Sequence, residues 1–132
     1  MVIISARLCY FFAVFSGFPS EAKAVTLFPF IFIRSKEDLV PWLITHEQIH
    51  IRQQLELLLL GAVLLHMVEM IYSVLILRLS WYESYLWSST EQEAYRNQNN
   101  IEYLKQRKPF TQLYYVLHKK KFSHYNGVVT YF

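Results

Sequence analysis

Apolar positions crowd into one run, LLLLGAVLLHMVEMIYSVLILRL over residues 57–79, whose length is close to the ~20 residues that cross a bilayer. Its only ionisable groups near the centre are His66 and Glu69, which are costly in lipid. Ahead of it a helix is expected to begin near Pro41, because proline suits the first turn and pushes Val40 out of the α region. Good helix formers, Gln53 to Leu57, continue it, and no proline follows until Pro109. Gly61 is the weakest point for a bend between the polar and apolar halves. A polar helix over Thr90–Lys108 reads as solvent-facing, with Asn97 to Asn100 weakening its middle and Pro109 ending it. Phe110–Leu117 then suits a short helix and Val128–Phe132 a terminal strand.

The first 24 residues admit two patterns. Arg7, the apolar run from Leu8 to Phe15 and the triplet Ala22-Lys23-Ala24 imitate a signal peptide with its cleavage site. The same apolar residues suit a strand or membrane-associated segment, with a turn at Gly17, Pro19 and Ser20 and a second strand over Val25–Ile33. Pro29 cannot donate to a ladder and places Val25–Arg34 at a sheet edge. The expected fold class is therefore mainly α with a small N-terminal β element, an α+β arrangement in one domain over 1–132, with 109–132 a tail.

Composition narrows the class. Hydrophobic residues make up 54% of the chain and aromatics 17%, with a mean hydropathy of +0.18, above an ordinary soluble domain. Lipid becomes an expected partner. A net charge of +3 from scattered basic residues gives no stripe for nucleic acid, and Lys119-Lys120-Lys121 reads as a solvated tail. Only three glycines are present, which excludes glycine-rich phosphate loops. The lone Cys9 makes no intrachain disulfide.

His46-Glu47-Gln48-Ile49-His50 is the stretch that asks for specific chemistry. On a helix, positions i and i+4 share one face, so both imidazoles reach a single metal while Glu47 stands beside the remaining coordination position. Zinc held by three protein groups lowers the pKa of a water toward ~7, and an adjacent carboxylate can take its proton. That pattern is HExxH, and it implies metal-assisted hydrolysis with Glu47 as general base. A third ligand must come from elsewhere. Ser88, Ser89 and Thr90 are good N-caps, and Ser88 with Glu91 or Thr90 with Glu93 fits a capping box, so a second helix opens there. Glu91 and Glu93 lie about 200° apart on such a helix and cannot both face one metal. His118 and His124 are further candidates. His66 and Glu69 are offset from the face of His46 and His50, and a straight helix would not bring them to the same ion.

HEQIH followed by a helix opening with EQEAY resembles the gluzincin metallopeptidases, especially membrane-embedded endoproteases and β-lactam sensor proteases. The run from TLFPFIFIRSKEDL to EQEAYRNQNNIEYLKQRK also resembles a group of small uncharacterised bacterial proteins. The gluzincin resemblance implies a zincin-like core, a zinc cofactor, and Glu91 as the third metal ligand, since the family's glutamate opens an ExxxD motif. It leaves Glu93 as a first-turn surface residue. Tyr95 falls where the family's aspartate supports the site, and a phenol cannot act as that carboxylate. It further implies an edge strand before the motif helix that holds an extended peptide by strand addition.

The expected function is thus zinc-dependent peptide hydrolysis at or in a membrane, on a peptide or protein substrate, by His46, His50, Glu91 and Glu47. The alternative is a small membrane protein whose zincin-like core is structural and serves as a binding or assembly partner. For residues 57–79, one reading is a membrane helix whose His66 and Glu69 face the protein interior, paired with Arg34 or Arg52. The other is a core helix of a cytoplasmic soluble domain with His66 hydrogen-bonded and Glu69 at the surface. Lys and Arg flank both ends of the run at similar density, so they do not orient it.

Overall fold

A computed structural model describes residues 1–15, 22–125 and 128–132. The N-terminal strand β1 (Val2–Ile4) leads into helix α1 (Ala6–Phe15), then β2 (Ala24–Leu27) and β3 (Phe30–Ile33). The apolar run from Leu8 is therefore helix, not strand. The expected turn at Gly17, Pro19 and Ser20 lies outside the described residues. β3 is the central strand, parallel to β1 and antiparallel to β2, with Val25 opposite Phe32 and Thr26 opposite Ile31. The single strand expected over Val25–Ile33 is in fact a hairpin that turns at Pro29, which is where a residue without an N–H costs no ladder bond. β2 is an edge, whereas β3 is not. α1 covers one face of this sheet: Cys9, Ala13, Val25 and Phe32 form a buried cluster, with Phe12 stacked on Phe32 at 4.5 Å between ring centres.

Helix α2 (Pro41–Glu56) starts at the expected proline, after Val40 in extended geometry. It packs against β2 on one side and a later helix on the other, burying Leu43 and Ile49. The chain then turns by 108° into α3 (Leu60–Leu75). The break falls at Leu58 and Leu59, whose φ angles are 54° and 50°, rather than at Gly61. Left-handed backbone costs a leucine on the order of 1–2 kcal/mol, so this bend is imposed by the packing on either side of it. No single helix among the described residues is long and apolar enough to cross a membrane.

Helix α3 buries Ala62, His66, Glu69, Met70 and Ser73, while Val63, Leu64, Val68, Ile71, Tyr72 and Leu75 remain exposed on its outer face. Glu69 is neither at the surface nor paired with an Arg. It takes a 2.5 Å contact from Lys119 and accepts from the Ser89 backbone N–H and hydroxyl. Lys119 is thereby held inside, contrary to the expectation of a solvated lysine run.

A short helix α4 (Trp81–Trp87) follows, opened by a reciprocal capping box between Ser80 and Glu83. Helix α5 (Ser89–Asn97) begins where expected, Ser88 accepting from the Glu91 backbone N–H. It ends at the Asn cluster instead of running to Lys108, and α6 (Tyr103–Gln106) is separate. Residues Ser89 to Ala94 are all buried. A polar composition read as solvent-facing is here the interior of the molecule, because these side chains find partners on α2, α3 and the tail. Helix α7 (Thr111–Leu117) and the hairpin of β4 (Phe122–Tyr125) with β5 (Val128–Tyr131) complete the chain. The hairpin is fixed to α4 by the Tyr131 hydroxyl, which donates to the Leu86 carbonyl.

Candidate metal centre

α2 and α5 cross so that His46, His50 and Glu91 meet inside the molecule, each offering one donor atom within 4.8 Å of the others. The His46 and His50 Nε2 atoms are 3.1 Å apart, Glu91 Oε1 is 3.2 Å from His50 Nε2, and Glu91 Oε2 is 3.4 Å from His46 Nε2. Tetrahedral bonds of ~2.0–2.1 Å place ligand atoms roughly 3.3–3.4 Å apart, so the observed separations suit a single ion of zinc size.

The tautomers reinforce this geometry. His50 Nδ1 donates to Gln53 Oε1 at 2.7 Å, and His46 Nδ1 donates to Gln98 Oε1 at 3.0 Å. The amide oxygen can only accept, so in each neutral imidazole the lone pair sits on Nε2. Two lone pairs and a carboxylate then converge with nothing positive between them. Glu91 Oε2 is buried without a hydrogen-bond partner among the described residues. Such a cluster demands a cation or a proton. Burial disfavours charge on His50, but the Glu91 carboxylate outweighs it and raises its pKa to about 9. Burial pushes the Glu91 carboxyl up, and the two imidazoles more than reverse this, holding it well below the carboxylate range.

Glu47 lies next to this group, only 4% exposed. Its Oε2 accepts a 2.7 Å hydrogen bond from Thr26 Oγ1, on the edge strand. β2 thereby aims the carboxylate. The edge itself is partly closed: the Gln54 amide donates to the Thr26 carbonyl at 2.9 Å and accepts from the Phe28 N–H at 2.7 Å. Gln54 occupies the place a pairing strand would take at that end of β2.

Of the alternative ligands, none joins the cluster. Glu93 is fully buried rather than a surface residue. It points away from Glu91, accepts from Gln53 Nε2 at 2.9 Å and from the Tyr103 hydroxyl at 3.1 Å, and is paired with Arg107. Arg107 also bonds Glu56 at 2.5 Å and Gln112 at 2.6 Å. Glu93 thus anchors the glutamine that orients His50. His118 stacks on Tyr114 at 3.8 Å, and His124 lies against Tyr82 at 5.1 Å, both away from the centre. Tyr95 meets His46 edge to face at 4.7 Å. It supplies packing, and Gln98 supplies the acceptor.

His66 remains outside the donor group but not far from it. The 108° turn carries it to within 3.4 Å of the Thr90 hydroxyl, with its ring lining the same cavity as Glu91. Burial lowers its pKa against the pull of Glu91, so it stands neutral. The straight helix assumed for it is absent.

Gln53, Gln98 and Thr26 were supporting residues the sequence left unassigned, and Glu93 was one it had placed at the surface. Gln53 stands one turn beyond His50, and Gln98 two turns beyond Glu91; those i+3 and i+7 spacings put them on the ligand faces. No spacing signalled Thr26.

Compared with family models, with curated proteins and with solved structures, the chain matches none.

Proposed function

We propose that the chain is a zinc-dependent peptidase acting at a membrane surface, with His46, His50 and Glu91 as ligands and Glu47 as general base. The observation that carries this reading is the convergence of three buried donors, their imidazole tautomers fixed from behind, beside a carboxylate oriented by a separate hydrogen bond. A structural zinc site closes its fourth position with protein, whereas here His50 and Glu91 border one open cavity and His46 a second, and Glu47 lines both. The resemblance to gluzincins through HEQIH and EQEAY supports the same assignment.

Zinc held there supplies Lewis acidity, polarising a carbonyl and acidifying water. Glu47 accepts the proton of the water that attacks the peptide carbonyl carbon and returns it to the amine nitrogen as the C–N bond breaks; the acid so formed passes its remaining proton to the amine, leaving a carboxylate and an ammonium. Thr26 keeps Glu47 in place through both transfers. Neutral His66, on the cavity wall, is suited to donate to the oxygen on which negative charge develops. For the membrane, support comes from the outer face of α3, apolar along its length.

A second reading takes the core as a metal-stabilised binding module without hydrolysis. It is favoured by Tyr95 standing where a carboxylate would strengthen the site and by neutral amides behind both histidines. Glu47→Gln separates the two: it keeps every ligand, so zinc at one equivalent should be retained while cleavage of a peptide mixture disappears. Peptidase activity surviving this change refutes the role of Glu47, and protein that never takes up zinc refutes the whole reading.

A further inference from the structure

The C-terminal hairpin is seated on α4 and α5 by one of its faces. Phe122, His124, Val129 and Tyr131 are alternate residues on the paired strands and share a face. On that face Phe122 meets Trp87, His124 meets Tyr82 and Tyr131 meets Tyr95. A hairpin packed by its face leaves its edges to other partners. The cavity on the His46 side, of about 1150 Å³, is lined by Val128 and Val129 together with His46, Glu47 and Ala24, and among the described residues none of β4 lines it. Successive side chains on a strand point to opposite faces, so a cavity that touches both valines meets β5 along its outer edge.

The register says which backbone groups stand there. The Phe132 N–H donates to the Lys121 carbonyl at 2.9 Å, which makes those two a hydrogen-bonded pair. Such pairs alternate in an antiparallel ladder, so Val128 bonds Tyr125, whereas Val129, opposite His124, turns its N–H and C=O away from β4. Neither group has a hydrogen-bond partner among the described residues. The same reckoning on β2, from the Arg34 N–H donating to the Lys23 carbonyl, turns Ala24 and Thr26 outward. Gln54 takes the Thr26 carbonyl, so β2 keeps only Ala24 for pairing at this cavity.

We infer that β5, in the C-terminal hairpin, is the strand that holds an extended peptide beside Glu47, through the outward N–H and C=O of Val129. An extended chain presents a matching acceptor and donor on one residue, whereas a helix uses its own internally. The inference rests on the peptidase reading for a peptide as the occupant. Its consequence is recognition through backbone, which tolerates many side chains.

The test uses the full-length Glu47→Gln protein, with and without zinc, and a fluorescein-labelled decapeptide taken from a random pool by its retention on that protein. Binding is read by anisotropy. Val129→Pro removes an N–H that the hairpin does not use, and proline is tolerated at a strand edge. The peptide should then bind about 3–10-fold more weakly, the size of one lost hydrogen bond. On the unaltered hairpin, N-methylation walked along the peptide should cost a similar factor at a single residue. A pool that yields no binder, or a peptide indifferent to both changes, overturns the inference. So does the reverse order, in which Ala24→Pro weakens the peptide and Val129→Pro spares it. Binding that depends on Val129 in a protein that takes up no zinc sustains the pairing and refutes the peptidase reading; zinc uptake and cleavage with binding indifferent to Val129→Pro and to N-methylation does the opposite.

Discussion

Glu91→Gln and Glu93→Gln are nearly isosteric changes two residues apart, and the structure gives them opposite consequences. Glu91 faces both imidazole Nε2 atoms and Glu93 faces Gln53, Tyr103 and Arg107. Structural zinc sites bind with ~10–16 kcal/mol, which shared over four ligands is about 2.5–4 kcal/mol each. Losing Glu91 should therefore weaken zinc by roughly 10²–10³-fold, close to a His46→Ala control. Glu93→Gln leaves all three ligands. It loosens Gln53, and changes behind a ligand cost up to ~10–100-fold, with the low end expected because Gln53 also bonds the Thr90 carbonyl. Its main effect is on folding. Removing one partner of a buried ion pair costs ~3–5 kcal/mol, and Arg107 keeps Glu56 and Gln112, so about 3 kcal/mol is expected. In a chain of 132 residues that lowers Tm by roughly 10 °C. Zinc affinity by competition with a chromophoric chelator, alongside thermal melts of the metal-free proteins, gives both numbers. If folded Glu93→Gln loses zinc as severely as His46→Ala while Glu91→Gln keeps it, the assignment of the third ligand is refuted.

Gln53→Leu and Gln98→Leu each remove the acceptor that fixes one histidine tautomer, so each should weaken zinc about 10–100-fold in the same chelator competition, and unchanged affinity would remove these glutamines from the site. In the metal-free protein the Glu91 carboxylate raises His50 from 6.5 to about 9 against the effect of burial; zinc must displace that proton, so its apparent affinity should rise about tenfold per pH unit between 7 and 9. By the same linkage the raised value stabilises the metal-free fold fully below pH 6.5, and that stability is lost as pH rises toward 9. Calorimetric zinc titrations showing no dependence over this interval would contradict a protonated His50. Replacing Leu64, Val68 and Ile71 with Glu on the exposed face of α3 should shift the protein from the membrane pellet to the supernatant with zinc retained, and an unchanged distribution would remove α3 as the contact.

How far the sequence carried depended on whether the relevant partner was near in the chain. Pro41, Ser88 and the HEQIH spacing act within one or two turns, and they placed α2, the start of α5 and the histidine pair correctly. Helix geometry also showed that Glu91 and Glu93 cannot both face one ion, because residues two apart on a helix face nearly opposite ways, and the gluzincin resemblance selected Glu91. What it did not show is where the opposite face goes. Glu93 read as a surface acid because its partner Arg107 lies 14 residues on and bonds Glu56 from 51 residues back. Lys119 read as solvated because Glu69 is 50 residues away. A buried charge satisfied across such a distance leaves no local pattern.

The bend between α2 and α3 shows the same limit from the backbone side. Leu57 to Leu60 are good helix formers by propensity, so the local expectation was helix past Glu56 with any bend falling at Gly61, its weakest point. Packing overrides it: α2 must cross α5 to bring the imidazoles to Glu91, while α3 must run under α4 and α5 to cover Glu69 and His66. Both are satisfied only if the chain reverses sharply, and the strain falls on Leu58 and Leu59. The same turn stops the apolar run from spanning in one piece, since the 16 residues of α3 reach about 24 Å against the ~30 Å of a hydrocarbon core. It also sets Leu59, Ala62 and Val63 as a wall of the cavity that opens at Glu47. One reversal thus accounts for a helix too short to cross a bilayer, an exposed apolar face, and an apolar approach to Glu47, His50 and Glu91.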